Sequence, residues 1–256
     1  MRGTFFGHAA WGIELGGRRL LVDPNPASED AERALHEFAG AAELILVTHG
    51  ASDHVGISFD LLRAHPHLRF VSEPAVAEHA RRSGIADQRV IPTIWGWEHR
   101  FGALAVRALE ARHLSRFETA PGVFASGLPL AFLLRCDDEP DVRLLHLGDT
   151  SVSGDLRVIG ELYRPTVALL GIGAAPGYFA ELMPREGAQA ALWLGVDVAL
   201  PMHFEADPSA ADEFCEAVRW LPREISSWRL DPLDSFVFER ETRTDVERRI
   251  AQKSSE

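Results

Sequence analysis

The segment 48–54 places His49, Asp53 and His54 directly after the apolar run 44–47. A short apolar run that stops at a polar cluster is typical of a buried strand with a loop at its end. On an extended loop, side chains two positions apart point the same way and adjacent ones diverge, so a short segment can face two cations. Imidazole and carboxylate are the usual ligands of Zn²⁺, and iron or Mn²⁺ also binds where carboxylates are several. The segment is therefore a candidate metal-binding loop, the alternative being that both histidines are ordinary polar loop residues.

Three more ligand-type residues follow predicted strands in the same way: His113, Asp149 and His203. The alternating stretch 104–109 precedes the first of them, and the apolar runs 144–147 and 198–202 precede the other two. Alternation and short apolar runs are both strand signals. Each residue stands where a ligand loop would be, and four such coincidences in sequence order argue against chance.

The apolar runs alternate with helix-like stretches along the chain. The runs lie near 44–47, 142–147, 166–170 and 196–200, and the helix-like stretches near 28–39, 57–64, 74–83, 153–163, 185–194 and 208–221. Such alternation predicts an α/β fold with buried strands. The first half is richer in paired strands, which predicts a mixed sheet with an antiparallel edge.

The motif His49-x-Ala51-x-Asp53-His54 resembles the signature of the metallo-β-lactamase superfamily, His-x-His-x-Asp-His, with Ala51 in place of the second histidine. The resemblance covers nearly the whole chain and is strongest to the ascorbate-phosphate-lactonase-like branch. The segments that carry it outside the motif are 7–15, 19–24, 168–173 and 183–188. It implies a four-layer αβ/βα sandwich, the metallo-β-lactamase fold, in which two mixed sheets with outer helices hold a metal site between them.

The resemblance also implies which residues bind metal. In the family, the positions of His49, His113 and the missing histidine hold one divalent ion, and the position of Asp149 bridges to a second. The second ion is held at three further positions: Asp53, His54 and His203. The implied activity is hydrolysis of a small ester, lactone, phosphoester or amide by a metal-activated water, with Asp53 and Asp149 as the catalytic carboxylates. One or two ions are expected, with Zn²⁺ preferred and Mn²⁺ or iron as alternatives.

Ala51 removes one ligand from the first site and leaves the second site complete. Four protein ligands fill the tetrahedral sphere of Zn²⁺, so the complete site favours a five- or six-coordinate ion if water is to bind there. His8 is the candidate to compensate for Ala51, the alternatives being a hydrogen-bonding or substrate-binding role. A second function class also stays open, namely a degenerate member that binds a metal or ligand without turnover.

Four other polar residues have two readings each. Glu205 is a further ligand or proton shuttle, or else a solvated carboxylate. Arg116 contacts a substrate phosphate or carboxylate through its bidentate fork, or else forms a surface ion pair with Glu118. Asp23 orients a metal-bound histidine from the second coordination sphere, or else caps the following turn. The offset of His146 from Asp149 in the same run favours packing of His146 in the core over metal ligation.

Composition excludes several function classes. The net charge of −12 over 256 residues argues against nucleic-acid binding, which depends on clustered positive charge. Lys253 is the only lysine, which excludes a Schiff-base lysine in the core and a Walker-type phosphate loop. No Gly-x-Ser-x-Gly motif is present to supply a serine nucleophile. A metal-activated water remains as the nucleophile, and the expected partner is a small-molecule substrate.

The chain is predicted to form one domain over 1–240, followed by a charged C-terminal tail over 241–256. No apolar run approaches the roughly 18 residues of a membrane span, and no apolar region stands near the N-terminus. With only two cysteines, Cys136 and Cys215, which are interpreted as packing residues, a cytoplasmic setting is expected. A homo-oligomer stays open.

Overall fold

The computed structural model describes residues 1–173 and 181–240. The strands are β1 (Arg2–Gly7), β2 (Ala10–Leu15), β3 (Arg18–Val22), β4 (Leu44–Leu46), β5 (Arg69–Ser72), β6 (Val90–Pro92), β7 (Glu98–Phe101), β8 (Leu104–Glu110), β9 (Ser115–Ala120), β10 (Val123–Gly127), β11 (Leu130–Cys136), β12 (Arg143–His146), β13 (Val167–Gly171), β14 (Val198–Met202) and β15 (Ser235–Val237). The helices are α1 (Glu29–Ala39), α2 (Ser52–Val55), α3 (Ser58–Ala64), α4 (Pro74–Arg82), α5 (Asp155–Tyr163), α6 (Pro184–Leu194) and α7 (Ser209–Arg219).

The strands form two mixed sheets and one separate hairpin. The first sheet has the order β15-β1-β2-β3-β4-β5-β6, antiparallel from β15 to β3 and parallel from β3 to β6. The second has the order β14-β13-β12-β11-β8-β7, parallel from β14 to β12 and antiparallel from β12 to β7. Among the residues that the structure describes, strands β9 and β10 pair only with each other. The antiparallel edge predicted for the first sheet is confirmed.

The apolar side chains divide into three buried clusters, which separate four layers. The central cluster lies between the sheets and includes Trp11 and Phe132. A second cluster joins the outer face of the second sheet to α5, α6 and α7, with Phe214 at its centre. The third joins the outer face of the first sheet to α1, α3 and α4, and includes Leu35 and Phe70. The predicted four-layer sandwich is therefore confirmed.

The predicted helices agree with the observed ones within two residues at each end, and α2 is an additional short helix. At the start of α7, Asp207 Oδ1 accepts hydrogen bonds from the backbone N–H and the hydroxyl of Ser209, as expected for a helix start. Both cysteines are buried and unpaired, which agrees with a packing role. The predicted tail over 241–256 lies outside the described residues. No helix within the described ranges is long and apolar enough to cross a bilayer.

Parallel strand directions bring the polar loops together. Strands β4, β12 and β14 each end just before a segment that contains predicted ligands. Because parallel strands present their carboxyl ends at the same edge of a sheet, the loops after β12 and β14 lie at one edge of the second sheet, on either side of β13. The loop after β4 holds the same place in the first sheet. The two edges face each other across the central core, and the polar side chains meet there.

Candidate metal centre

The segment after β4 is not wholly extended, contrary to the sequence-based expectation. Residues 52–55 form the short helix α2, which carries Asp53 and His54, whereas His49 stands before it on the loop. Ala51 is the N-cap of α2 and offers no side-chain hydrogen bond there. Helical geometry sends adjacent side chains about 100° apart, so Asp53 and His54 point to different parts of the same site.

Asp149 lies at the centre of the polar cluster. Its Oδ2 atom is 3.2 Å from His54 Nε2, 3.4 Å from His203 Nε2, 3.7 Å from His113 Nε2 and 3.8 Å from His49 Nε2. Asp149 is only 3% exposed. Four imidazoles from three different loops thus converge on one buried carboxylate oxygen.

The ligand-type side chains form two sides around Asp149. The first, called the His49 side, consists of His49 and His113, and each offers an atom within 4.8 Å of the others and of Asp149. The second is called the His203 side and consists of three predicted ligands: Asp53, His54 and His203. His8 belongs to the same close group as the His203 side. The structure therefore does not put His8 beside His49, where the histidine replaced by Ala51 would be missing.

Several buried polar atoms of the centre lack a hydrogen-bond partner among residues 1–173 and 181–240. They are His49 Nε2, His54 Nε2, His113 Nδ1, Asp149 Oδ1 and His203 Nε2. A buried polar group without a partner costs about 1–3 kcal/mol. A cation bound between Asp149 and the Nε2 atoms of His49, His54 and His203 would satisfy these four groups together, and His113 faces the same place through Nε2, so the donor set fits a divalent metal.

Asp23 fixes the orientation of His54. Its Oδ2 lies 2.8 Å from His54 Nδ1, which leaves His54 Nε2 directed at Asp149. Thr48 holds the carboxylate in place, because its backbone N–H donates to Asp23 Oδ1 and its hydroxyl donates to Oδ2, each at 2.7 Å. This contact favours the orienting role for Asp23 over the turn-capping one, since carboxylates commonly set the tautomer of metal-binding histidines.

His8 bridges two carboxylates at the solvent edge of the centre. Its Nε2 lies 2.9 Å from Asp53 Oδ2, and its Nδ1 lies 3.2 Å from Glu205 Oε2. The backbone N–H of His8 also donates to Glu205. Burial disfavours the charged ring, but the bonds to Asp53 and Glu205 outweigh it and raise the pKa of His8 to about 9. Glu205 is therefore bonded to an imidazole and is not simply a solvated carboxylate.

The charges of the inner histidines differ with their neighbours. Burial lowers the pKa of His49 to about 3, so its ring is neutral and keeps a lone pair for coordination. Burial also opposes charge on His54, but the carboxylates of Asp149 and Asp23 raise its pKa well above the usual range. Burial would raise the pKa of Asp149, but the charges of His54 and His203 hold it far below its ordinary value.

Three residues at the centre adopt left-handed backbone conformations. The φ angles are +55° for His8, +47° for Asp23 and +62° for His203. Such conformations are uncommon outside glycine and tend to cluster at functional sites, where the surrounding structure maintains them. The strain lies at the His203 side and at the residue that orients His54.

Two parts of the centre carry no signal in the sequence. Glu181 offers a carboxylate within 4.8 Å of ligand atoms of Asp149 and His203. Glu73 is 1% exposed and accepts a hydrogen bond from the Ser115 hydroxyl at 3.1 Å, and Ser115 in turn accepts from the Gly50 N–H at 3.0 Å. Glu73 also caps α4, which is how its position before Pro74 would be interpreted from sequence. Its contact with Ser115, which holds the Gly50 N–H beside His49, depends on the β9–β10 hairpin, which is distant from Glu73 in sequence.

Arg116 does not form the surface ion pair with Glu118 that was one reading of the sequence. The guanidinium carbon of Arg116 lies 3.8 Å from the ring centre of Phe124, and Glu118 accepts a hydrogen bond from the Gly122 N–H. Arg116 lines a 480 Å³ cavity beside the loop that follows β4.

His146 is fully buried and its Nε2 lies 3.1 Å from the carbonyl oxygen of Ala9, which confirms its packing role.

Comparison with known proteins agrees with this geometry. The sequence model of a family described as a beta-lactamase superfamily domain matches residues 18–204. A UPF0173 metal-dependent hydrolase of Rubrobacter xylanophilus is 32% identical over 234 residues, which are 90% of this chain and 93% of that protein. Another, of Methanopyrus kandleri, is 30% identical over 242 residues, which are 92% of this chain and 99% of that protein.

A solved structure has the same fold. Igni18, a metallo hydrolase from Ignicoccus hospitalis, superposes with a TM-score of 0.78 at 25% identity, and the match covers 94% of this chain and 99% of that one. The superfamily and fold predicted from the motif are thus confirmed. The chain belongs to the beta-lactamase superfamily and, within it, to the UPF0173 metal-dependent hydrolases.

Proposed function

We propose that this chain uses a metal-activated water to hydrolyse a small ester, lactone, phosphoester or amide. The observation that carries the proposal is the position of Asp149 Oδ2, which lies within 3.8 Å of four histidine nitrogens. Buried imidazoles without other partners, gathered around a carboxylate, are the usual donors for a catalytic divalent ion. The preferred ion is Zn²⁺, with Mn²⁺ or iron as alternatives, and one or two ions are bound.

The proposed ligands lie on both sides of Asp149. They are His49, Asp53, His54, His113, Asp149 and His203. A bound divalent ion lowers the pKa of its water from about 15.7 towards 7 and polarises the oxygen under attack. Asp149 is proposed to serve both sides, since its Oδ2 faces histidines of both and its Oδ1 has no hydrogen-bond partner within the described residues.

Proton movement is proposed to follow the edge of the centre that reaches solvent. The side chain of Asp53 is 41% exposed, so a reacting molecule can approach it. Asp53 Oδ2 faces His8 Nε2, and His8 Nδ1 faces Glu205, whose side chain is 36% exposed. A proton accepted at Asp53 is proposed to pass to Nε2 of the neutral His8 ring as that ring releases its Nδ1 proton to Glu205 and then to solvent. Arg116 is proposed to contact the more distant part of the substrate.

Ala51 supports turnover more than a degenerate binding role. With alanine there, the His49 side and Asp149 offer three ligand-type groups. Three protein ligands and one open position are typical of catalytic zinc sites, whereas four ligands are typical of structural ones. The loss of one imidazole is thus compatible with a site that admits water or substrate.

The test begins with elemental analysis of protein purified without added metal. We expect stoichiometric metal, and we expect chelation to lower the melting temperature reversibly, because a ligand that binds only the folded state stabilises it by mass action. A chromogenic ester, a lactone, a phosphodiester and an anilide are then tested for hydrolysis with the chelated and reloaded protein. His203→Ala should lose metal and rate, whereas the matched control His67→Ala, at an exposed position, should keep both.

The possible results separate the hydrolase from the degenerate reading. Absence of stoichiometric metal, with no response to added Zn²⁺, Mn²⁺ or Fe²⁺, would contradict the metal centre itself. Stoichiometric metal without hydrolysis of any of the four classes would instead favour a member that binds a metal or ligand without turnover. Hydrolysis that chelation removes and metal restores supports the proposal.

A further inference from the structure

Glu181 stands three residues before α6 and reaches the metal centre from the second sheet's side. One ligand-type atom from each of Asp149, Glu181 and His203 lies within 4.8 Å of the others. Glu181 Oε2 is buried and has no hydrogen-bond partner within the described part of the chain. The sequence motif does not include this residue, and its neighbourhood is created by the fold alone.

Packing alone does not explain this arrangement. An unpaired carboxylate oxygen is costly to bury, and a second carboxylate beside it adds repulsion between like charges. Burial and the charge of Asp149 both raise the pKa of Glu181, which reflects that repulsion. Asp149 Oδ1 and His203 Nε2 are buried and unpaired at the same place, again among the described residues. The unpaired oxygens of two carboxylates and the unpaired nitrogen of an imidazole are satisfied together when a cation lies between them.

We propose that Glu181 is a further carboxylate ligand on the His203 side, and that it raises the affinity of that side for Mn²⁺ or Fe²⁺ relative to Zn²⁺. The inference rests on the proposed function, because it requires that the centre bind a divalent ion. It goes beyond the six proposed ligands by adding a residue from a different loop.

The donor count gives the chemical reason for this selectivity. Two close groups share His203, one with Asp53 and His54 and the other with Asp149 and Glu181, so together they offer three carboxylates and two imidazoles. Zn²⁺ is satisfied by four ligands and accepts nitrogen readily, whereas carboxylate oxygens and higher coordination numbers suit Mn²⁺. Removing one carboxylate should therefore weaken Mn²⁺ binding more than Zn²⁺ binding.

The experiment measures metal affinity and does not depend on turnover. Chelator-treated full-length protein is titrated separately with Mn²⁺, followed by the electron paramagnetic resonance signal of the free ion, and with Zn²⁺, in competition with a chromogenic chelator. Glu181→Gln is the test variant because it keeps the size of the side chain and removes its charge. Glu186→Gln is the matched control. Glu186 lies in the first turn of α6 and accepts a hydrogen bond from the N–H of the N-cap residue Met183, and glutamine keeps that acceptor.

We expect Glu181→Gln to raise the Kd for Mn²⁺ by about tenfold or more and the Kd for Zn²⁺ by distinctly less. Glu186→Gln should leave both constants unchanged. Glu181→Asp, which keeps the charge on a shorter stem, should recover part of the Mn²⁺ affinity, and circular dichroism checks that each variant is folded.

The outcomes are distinct. A parental Kd for Mn²⁺ in Glu181→Gln overturns the assignment of Glu181 as a ligand, and equal weakening of both ions overturns the selectivity. If the parent protein binds neither Mn²⁺ nor Zn²⁺, the proposed metal centre itself is wrong. The titration of the parent protein alone gives that result, so it is distinguished from a failure of Glu181 as a ligand.

Discussion

On the His49 side of the centre, His49 lies in the protein interior, whereas the His203 side continues to the surface through Asp53 and His8. His49 is 1% exposed, while the side chains of Asp53 and His8 are 41% and 21% exposed. The loop of His49 is held by hydrogen bonds that involve none of the ligands, from the Gly50 N–H to Ser115 and from the Ser115 hydroxyl to the Glu73 carboxylate. The His203 side is held by contacts between carboxylates and imidazoles.

This difference separates two ways of preparing a metal site. Packing and the hydrogen-bond chain from Gly50 through Ser115 to Glu73 keep the His49 side in place whether or not a cation is present. At the His203 side, opposite charges substitute for the cation, and two residues there, His8 and His203, have left-handed φ angles. That side therefore depends more on the protonation state and on what is bound, because its contacts are mainly electrostatic.

Asp149→Ala should have the largest effect, since within 1–173 and 181–240 Asp149 is the ligand-type residue that faces both sides. We expect metal content to fall close to zero and hydrolysis to fall by roughly 10³-fold or more, which corresponds to about 4 kcal/mol. Elemental analysis and steady-state kinetics measure the two losses. A variant that keeps metal on one side only would show that Asp149 does not join the two sides.

Single ligand variants should show that the sides are unequal. His203→Ala should remove the more tightly bound ion, because the His203 side has more ligand groups, whereas His49→Ala should leave partial occupancy. We expect roughly a tenfold or greater difference between the two in retained metal after gel filtration. Equal losses in both variants would mean that the ligands form one site and would remove the distinction made here.

Asp23→Asn tests the support of His54. The amide keeps the shape of the side chain but weakens the contact with His54 Nδ1 that directs Nε2 to Asp149. Changes to such supporting groups typically cost about 10–100-fold in metal affinity or activity. The measurement is the Zn²⁺ dissociation constant, compared with that of Asp60→Asn on the exposed helix α3 as a control. A parental constant would assign Asp23 to the loop structure alone.

Ala51→His asks whether the His49 side needs its open position. The added imidazole should increase metal retention on that side and occupy the position where water or substrate binds. We therefore expect higher metal content with activity lowered by up to about tenfold. A gain in both metal and rate would contradict this view and would indicate an incomplete ancestral two-ion site.

The sequence was sufficient to predict the position of each ligand loop along the fold. Apolar runs that end in polar residues have few interpretations other than buried strands, so the loops of His113, Asp149 and His203 were correctly placed after strands. The helix boundaries followed from the same periodicity. Resemblance to a family then supplied the layer architecture, which periodicity alone does not determine.

Side-chain partners were less predictable, because they depend on chain segments that are far apart in sequence. Glu73 meets Ser115 only because the β9–β10 hairpin folds over the start of α4. Arg116 contacts Phe124 across that hairpin rather than Glu118 on its own strand. Glu181 has no local pattern around it that indicates a ligand. Each of these contacts is decided by tertiary packing and not by local propensity.

His8→Asn should have the smallest effect, and it tests whether charge maintains the solvent edge of the His203 side. The pKa of His8 in the folded protein is raised to about 9 from its ordinary value of 6.5. Its charge therefore stabilises the metal-free fold fully below about pH 6.5, and this stabilisation is lost as the pH rises through 9. Asparagine tolerates the left-handed backbone of position 8 better than most residues, so the variant removes the charge with little added strain.

The metal-free parent should consequently lose melting temperature between pH 6.5 and 9.5 more steeply than His8→Asn does. For a chain of this size each kcal/mol of stability corresponds to about 2–4 °C, so a difference of a few degrees is expected. In protein reloaded with Zn²⁺ the difference should shrink, because the cation takes over the neutralisation of Asp53. Parallel pH profiles for the metal-free parent and the variant would show that packing, and not charge, holds His8 in place, as it holds His49. The contrast between the two sides would then no longer rest on charge.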